Sequence, residues 1–159
     1  LATIDELADV LHHPFSSSSL PFRQEPGRSL DVYAVIWCPV HKPRNWNAGA
    51  LAQALDSIPE AARVTDAGGE ETTRFGVKTS GTILLYSGTG RLLFSGGITA
   101  SRGHRGGNIA AETLRQRIYQ SLWEEERGKK HIGAKDKIAS FPVFGCGMQA
   151  GEKRDDRDD

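Results

Sequence analysis

The chain has 159 residues, a length that suits one domain burying a core of its own without disulfide or metal staples. Its 20 Lys and Arg balance 20 Asp and Glu, so no net field draws it to nucleic acid or anionic lipid, and a nucleic-acid role is disfavoured. Two cysteines exclude a disulfide framework and leave either one bridge or two free thiols, while no apolar run approaches the roughly 20 residues that span a bilayer and none of these residues reads as a signal peptide.

Residues 1–11 read as an amphipathic helix with Ile4, Leu7, Ala8 and Leu11 on one stripe and Thr3 and Glu6 in capping-box spacing, expected to pack against a sheet. Residues 12–29 turn to Pro, Ser, Gly and charge, the composition of a mobile loop, and His12 and His13 can serve as metal ligands there, though adjacent histidines on a surface loop are more often solvated. The β-branched and aromatic bulk of Val32, Tyr33, Val35, Ile36 and Trp37 predicts a central strand over 30–37, ended by Pro39 and Pro43. Asn45 to Asn47 can cap a helix over 48–57 that buries Leu51, Leu55 and Ile58 before Pro59 stops it. A short strand over 63–66 follows, and the crossover implies parallel pairing.

The stretch 66–98 carries the strongest local signals. An acidic turn at Asp66 leads to a short polar helix ending near Phe75 and Gly76, where glycine can close a helix in the left-handed conformation. A β-hairpin comes next: strand 82–86, turn residues 87–90 and returning strand 91–94, expected inside a sheet covered by helices. A Gly-rich basic loop then reaches Asn108, the expected cap of a helix over 109–127 whose Ala111, Leu114, Ile118 and Leu122 share one face. Residues 128–140 read as a charged connector, 141–148 as an apolar segment that docks back, and 149–159 as a disordered tail of mixed charge. The fold class is α/β in one domain over 1–148, with a central mixed sheet, a C-terminal β-hairpin and helices on both faces.

The order of strand, short helix, aromatic-Gly-Val step and hairpin resembles the second half of a thioredoxin fold. Arg74-Phe75-Gly76-Val77 stands where thioredoxins carry a basic-aromatic-Gly-aliphatic step, and Ser80-Gly81-Thr82 where they carry aliphatic-Pro-Thr. Gly81 thus replaces the cis-proline that lines the family's redox site and keeps metals off its cysteines, and a trans peptide is expected there because a non-proline cis bond costs about 2.5 to 4 kcal/mol. Thr79 to Thr82, Leu92 to Thr99, Arg102-Gly103-His104 and Pro142 to Cys146 together resemble the RedB-like group, which is related to bacterial extracytoplasmic thiol-disulfide oxidoreductases. The likeness spans roughly residues 31–148, with Gly106-Gly107-Asn108 where the group usually reads Gly-Asp-Asn. It implies an extracytoplasmic protein, a cysteine pair just upstream of Leu1 with a possible membrane tether, and the 1–11 helix in the place of the redox helix. The chain begins with Leu rather than Met, which accords with an upstream segment.

Trp37-Cys38-Pro39-Val40-His41 looks like a redox motif with its second cysteine replaced, but a thiol activated by a helix N-terminus needs that helix at once, and Pro43 with a polar loop intervenes. Cys38 is instead expected at the carboxyl end of a parallel strand, the edge where α/β sites gather, as a candidate thiol or an incidental one. Cys146 matches the RedB-like pattern in place and type, as a resolving or structural thiol or simply a small buried hydrophobe. Ser80, Gly81, Thr82, Arg102 and His104 form the expected substrate or partner edge, where the two cationic side chains can stabilise a thiolate or bind an anion unless they are merely solvated. Cys38 with His41, His104 or Cys146 offers soft N and S donors without diagnostic spacing, the run before Asn108 lacks the Lys-Ser/Thr of a P-loop, and no cofactor or metal is expected. Two readings follow: a thiol-disulfide oxidoreductase lacking its own cysteine pair in this chain, or a non-catalytic interaction module or accessory subunit. Both expect a protein partner.

Overall fold

Val, Ile and Trp side chains crowd residues 32–37, and there the chain forms β1 (Val32–Cys38), which pairs in parallel with β2 (Ala61–Ala67) across a crossover containing α1 (Ala50–Leu55). The computed structural model describes residues 4, 7, 8, 10, 11, 30–39, 49–56, 58, 61–101, 108–126 and 137–148. After β2 come α2 (Glu70–Arg74), the hairpin strands β3 (Ile83–Tyr86) and β4 (Leu92–Gly96), the long α3 (Ile109–Glu126) and β5 (Ala139–Ser140). The class is mixed α/β as expected, but the described strands form two sheets, β1-β2 and β3-β4-β5, rather than one central mixed sheet. The described residues group into two compact units, one drawn from Leu1–Asp31 with Gly81–Gly145 and the other from Val32–Ser80 with Cys146–Asp159.

In the first unit the hairpin forms where its turn chemistry predicts. Ser87 N–H donates to the Arg91 carbonyl at 2.8 Å, Gly90 N–H donates to the Ser87 carbonyl at 2.9 Å, and Gly90 takes φ 79°. β4 lies between β3 and β5, and its adjacent residues Leu93 and Phe94 are 4% and 0% exposed. Successive strand residues face opposite ways, so β4 is covered on both faces, whereas β3 leaves Tyr86 exposed. The doubly buried strand is therefore the returning one, because it is the one with two neighbours.

Leu85, Leu93, Phe94 and Ile98 form a single core with Ala110, Ala111 and Leu114 of α3 and with Val10. Asn108 caps α3 as expected: its Oδ1 accepts from Ala110 and Ala111 N–H at 2.9 and 3.1 Å, while its Nδ2 donates to the Ile98 carbonyl and ties the helix start to the end of β4. Such a cap contributes about 1 kcal/mol. Ile4, Leu7, Ala8, Val10 and Leu11 are helical, but the most buried of them is Val10, which the predicted stripe omitted. Leu7 and Val10, three apart on one face, are the pair that joins the core.

The segment 141–148 does fold back, through Phe141. Its ring stacks on Phe94 with centroids 5.6 Å apart, its N–H donates to the Ser95 carbonyl at 3.0 Å, and Gly97 N–H donates to the Pro142 carbonyl at 3.2 Å. Gly96 makes the close approach possible: at φ 155° it sits where a Cβ would lie 2.5 Å from the Phe141 carbonyl oxygen. Phe144 departs from expectation and stays 45% exposed. The docking also begins earlier than the apolar run, since Ala139 and Ser140 at the end of the charged connector pair in parallel with Phe94 and Ser95. Residues 12–29, the start of the connector and the tail 149–159 lie outside the described residues.

In the second unit β1 alternates in burial, with Ile36 buried and Tyr33 and Val35 65% and 44% exposed. It is thus not the central strand its composition suggested; among the described residues it pairs with β2 alone and one of its faces is bare. Leu55 and Ile58 are buried as expected, while the side chain of Leu51 and the capping residues 45–47 lie outside the description. Asp66 lies in β2, as the strand read over 63–66 expected, and not in the acidic turn also read there. From there it caps α2 across the Gly68-Gly69 turn, accepting from Glu71 N–H at 3.0 Å, from Thr72 N–H at 2.8 Å and from the Thr72 hydroxyl. Gly76, at φ 65°, closes the helix where predicted, with its N–H donating to the Thr73 carbonyl.

Candidate functional site

The carboxyl ends of β1 and β2 carry Trp37 and Cys38 opposite Asp66 and Ala67. Cys38 is the last residue of β1, and α1 begins only at Ala50, so the thiol does not head that helix. It is half-buried and unbridged, and its Sγ lies 3.7 Å from the Pro39 carbonyl oxygen, a weak contact for a thiol donor. Its own carbonyl accepts from Gly68 N–H at 2.9 Å, which ties the strand end to the turn before α2. Trp37 packs so closely over that turn that a Cβ at Gly69 would meet the indole nitrogen at 3.0 Å. Beside it, burial alone would raise the Asp66 pKa, but the Thr72 hydroxyl and the N–H groups of Thr72, Glu71 and Glu70 outweigh that and hold it below the ordinary carboxylate value. Asp66 is therefore a fixed anion serving a helix rather than a proton carrier.

The second thiol of this unit is differently placed. Cys146 is exposed and free, and it lies next to Ser80 despite a separation of 66 positions in the chain. The contact is reciprocal: Cys146 N–H donates to Ser80 Oγ at 2.9 Å, and Ser80 N–H donates to the Cys146 carbonyl at 2.9 Å. Thr79 and Gly147 then form an antiparallel bridge, and Met148 N–H donates to the Lys78 carbonyl at 2.8 Å. Residues 146–148 thus run as a strap along 78–80.

This arrangement brings together two of the residues singled out from sequence, Cys146 and Ser80. Gly81, which follows Ser80, adopts φ 81°, and no cis peptide occurs among the described residues, so the expected trans bond is present. Gly81 and Thr82 belong to the other unit. Arg102 and His104 lie outside the described residues, as does His41, so the expected cationic part of the edge has no geometry here. Among the described residues no three His, Cys, Asp or Glu side chains gather in a way that could hold a metal ion. Sequence reading singled out neither Lys78 nor Gly147, whereas Thr79 and Met148 lay in stretches it had marked. Glycines at 145 and 147 mark an irregular, extended path around Cys146, but backbone pairing over such a separation leaves no periodic signal.

Among the described residues, no helix is long and apolar enough to cross a membrane. Comparison with protein-family models, with curated proteins and with solved structures finds no match to this chain.

Proposed function

We propose that this chain is a thioredoxin-like module of the RedB-like kind, working outside the cytoplasm, that engages a protein partner along the edge marked by Ser80 and Cys146. On this reading it is not a complete disulfide reductase by itself. The observation that carries it is the exposed, unbridged Cys146 thiol held at a defined place by its reciprocal pairing with Ser80. The order of elements supports the fold assignment: a parallel β-α-β crossover, a short helix, an antiparallel hairpin and a closing helix follow one another as in thioredoxins.

An exposed thiolate can attack a partner disulfide, forming a mixed disulfide at Cys146 and expelling the partner's other sulfur as a thiolate. Release then needs a second thiolate to attack the Cys146 sulfur. Cys38 is half-buried with its Sγ against the Pro39 carbonyl, so the proposed module holds a partner or waits for a thiol supplied elsewhere. The alternative, a thiol-disulfide oxidoreductase completed by a cysteine pair upstream of Leu1, draws its support from the resemblance.

Insulin reduction by the chain, with Cys38→Ser and Cys146→Ser variants, tests the module reading. The expected result is no sustained turnover, together with a single mixed disulfide formed with a small aromatic disulfide and lost in Cys146→Ser alone. Sustained turnover abolished by Cys38→Ser would overturn the module reading.

A further inference from the structure

The edge assigned above to a protein partner is already occupied by the chain itself. Every described polar link between 78–80 and the strap is of a kind that another extended backbone can supply: a carbonyl for Ser80 N–H, an N–H for Ser80 Oγ and an N–H for the Lys78 carbonyl. Side chains add little selectivity, since a Cβ at Gly147, the residue opposite Thr79, would meet nothing within 4 Å. Lys78, Ser80, Cys146 and Gly147 are all exposed, and Thr79 and Met148 are half-buried. No described ring contact holds the strap as Phe94 holds Phe141, and short, largely exposed pairings of this kind stand at the low end of local stability.

We infer that residues 146–148 are an internal competitor: the strap pairs with 78–80 in the resting chain, and an extended segment of the partner docks there only when the strap has left. This rests on the assignment of that edge to partner binding. Opening would at once free the Ser80 N–H, the Ser80 hydroxyl and the Lys78 carbonyl, and release Cys146 from its fixed position. The regulator is the fraction of molecules with the strap open, because an incoming segment's apparent affinity is its intrinsic affinity scaled by that fraction.

The test uses the full chain and a variant, Cys146→Pro with Met148→Pro, which removes both strap N–H donors and leaves residues 78–80 intact. The probe is a fluorescein-labelled peptide of residues 142–149 carrying Cys146→Ser, read by anisotropy; a second peptide also carrying Met148→Pro is the control. Thermal melts of both proteins confirm that the variant folds. A resting strap closed in 90 to 99% of molecules would make the wild type bind the probe about 10- to 100-fold more weakly than the variant, with the control peptide weaker on both. A milder measurement needs no variant: the Ser80 and Met148 amides should exchange with deuterium far faster than the amide of Phe94. Equal affinity of wild type and variant would overturn the strap as a competitor and leave the docking edge standing. Binding to neither protein would overturn the docking edge and the strap's role together.

Discussion

Asp66 shows how a buried charge is kept where, among the described residues, no opposite charge is paired with it. The side chain is in a residue only 3% exposed, and its stabilisation comes from hydrogen-bond donors concentrated at the first turn of α2. Gly69, the N-cap residue, has no side chain to offer, so the acceptor is supplied from β2 instead. Asp66→Ala should lower stability by about 1 to 3 kcal/mol, the range for losing a cap made of charge-assisted hydrogen bonds, and Thr72→Val by about 1 kcal/mol for its hydroxyl alone. Urea unfolding at pH 7 measures both. Because the folded-state pKa of Asp66 is depressed, its contribution is fully present above the unfolded carboxylate range and is lost as pH falls through the lower folded value. The stability gap between wild type and Asp66→Asn should therefore be widest near neutrality and shrink below about pH 4. A gap that stays constant down to pH 2 would mean the carboxylate charge has no part in the cap.

Elements whose ends are written in local chemistry could be read from the sequence: Asn108 before α3, Gly76 after α2, and Ser87 to Gly90 between β3 and β4 each act on groups within a few residues. β5 could not, because two residues carry no period and Ala139-Ser140 is a strand only through its pairing with Phe94 and Ser95. The same reason hid the more buried strand of the hairpin. Ile83 to Tyr86 is the more apolar run, yet burial is decided by the number of neighbours, and β4 has two. Of the candidate site, Cys146 and Ser80 stood out as single residues, but their backbone pairing and the strap beyond it depend on distant chain. Gly96 offers the sharpest test at this scale. Gly96→Ala adds a clash with the Phe141 backbone to an unfavourable φ and should cost about 2 to 4 kcal/mol, whereas Gly90→Ala, at φ 79° with open space around it, should cost about 1 to 2 kcal/mol. Similar losses for the two in chemical denaturation would show that the β4–Phe141 contact yields easily.

At the scale of the molecule, the C-terminal segment contributes to both compact units, with Phe141 in one and residues 146–148 in the other. Truncation after Lys130 removes β5, the Phe141–Phe94 stack and the strap, and should lower the melting temperature by several degrees, as expected for a loss of about 1 to 3 kcal/mol in a domain of this size. An unchanged melting curve would show that the segment adds nothing to stability. Neither unit is continuous in the chain, and this has a consequence for how the protein comes to be made. A ribosome delivers the first helix long before the hairpin that Leu7 and Val10 pack against, and it delivers β1 and β2 long before the residues that pair with Lys78 and Ser80. The hairpin can close within microseconds of its appearance, but the β4–β5 pair and the strap must wait until residues 139–148 have been made and for the closure of long loops. In refolding followed by pulsed hydrogen exchange, the Ser87 and Gly90 amides should gain protection before those of Gly97 and Phe141. Each unit is thus begun early and closed only by residues made much later, 139–142 for the one and 146–148 for the other.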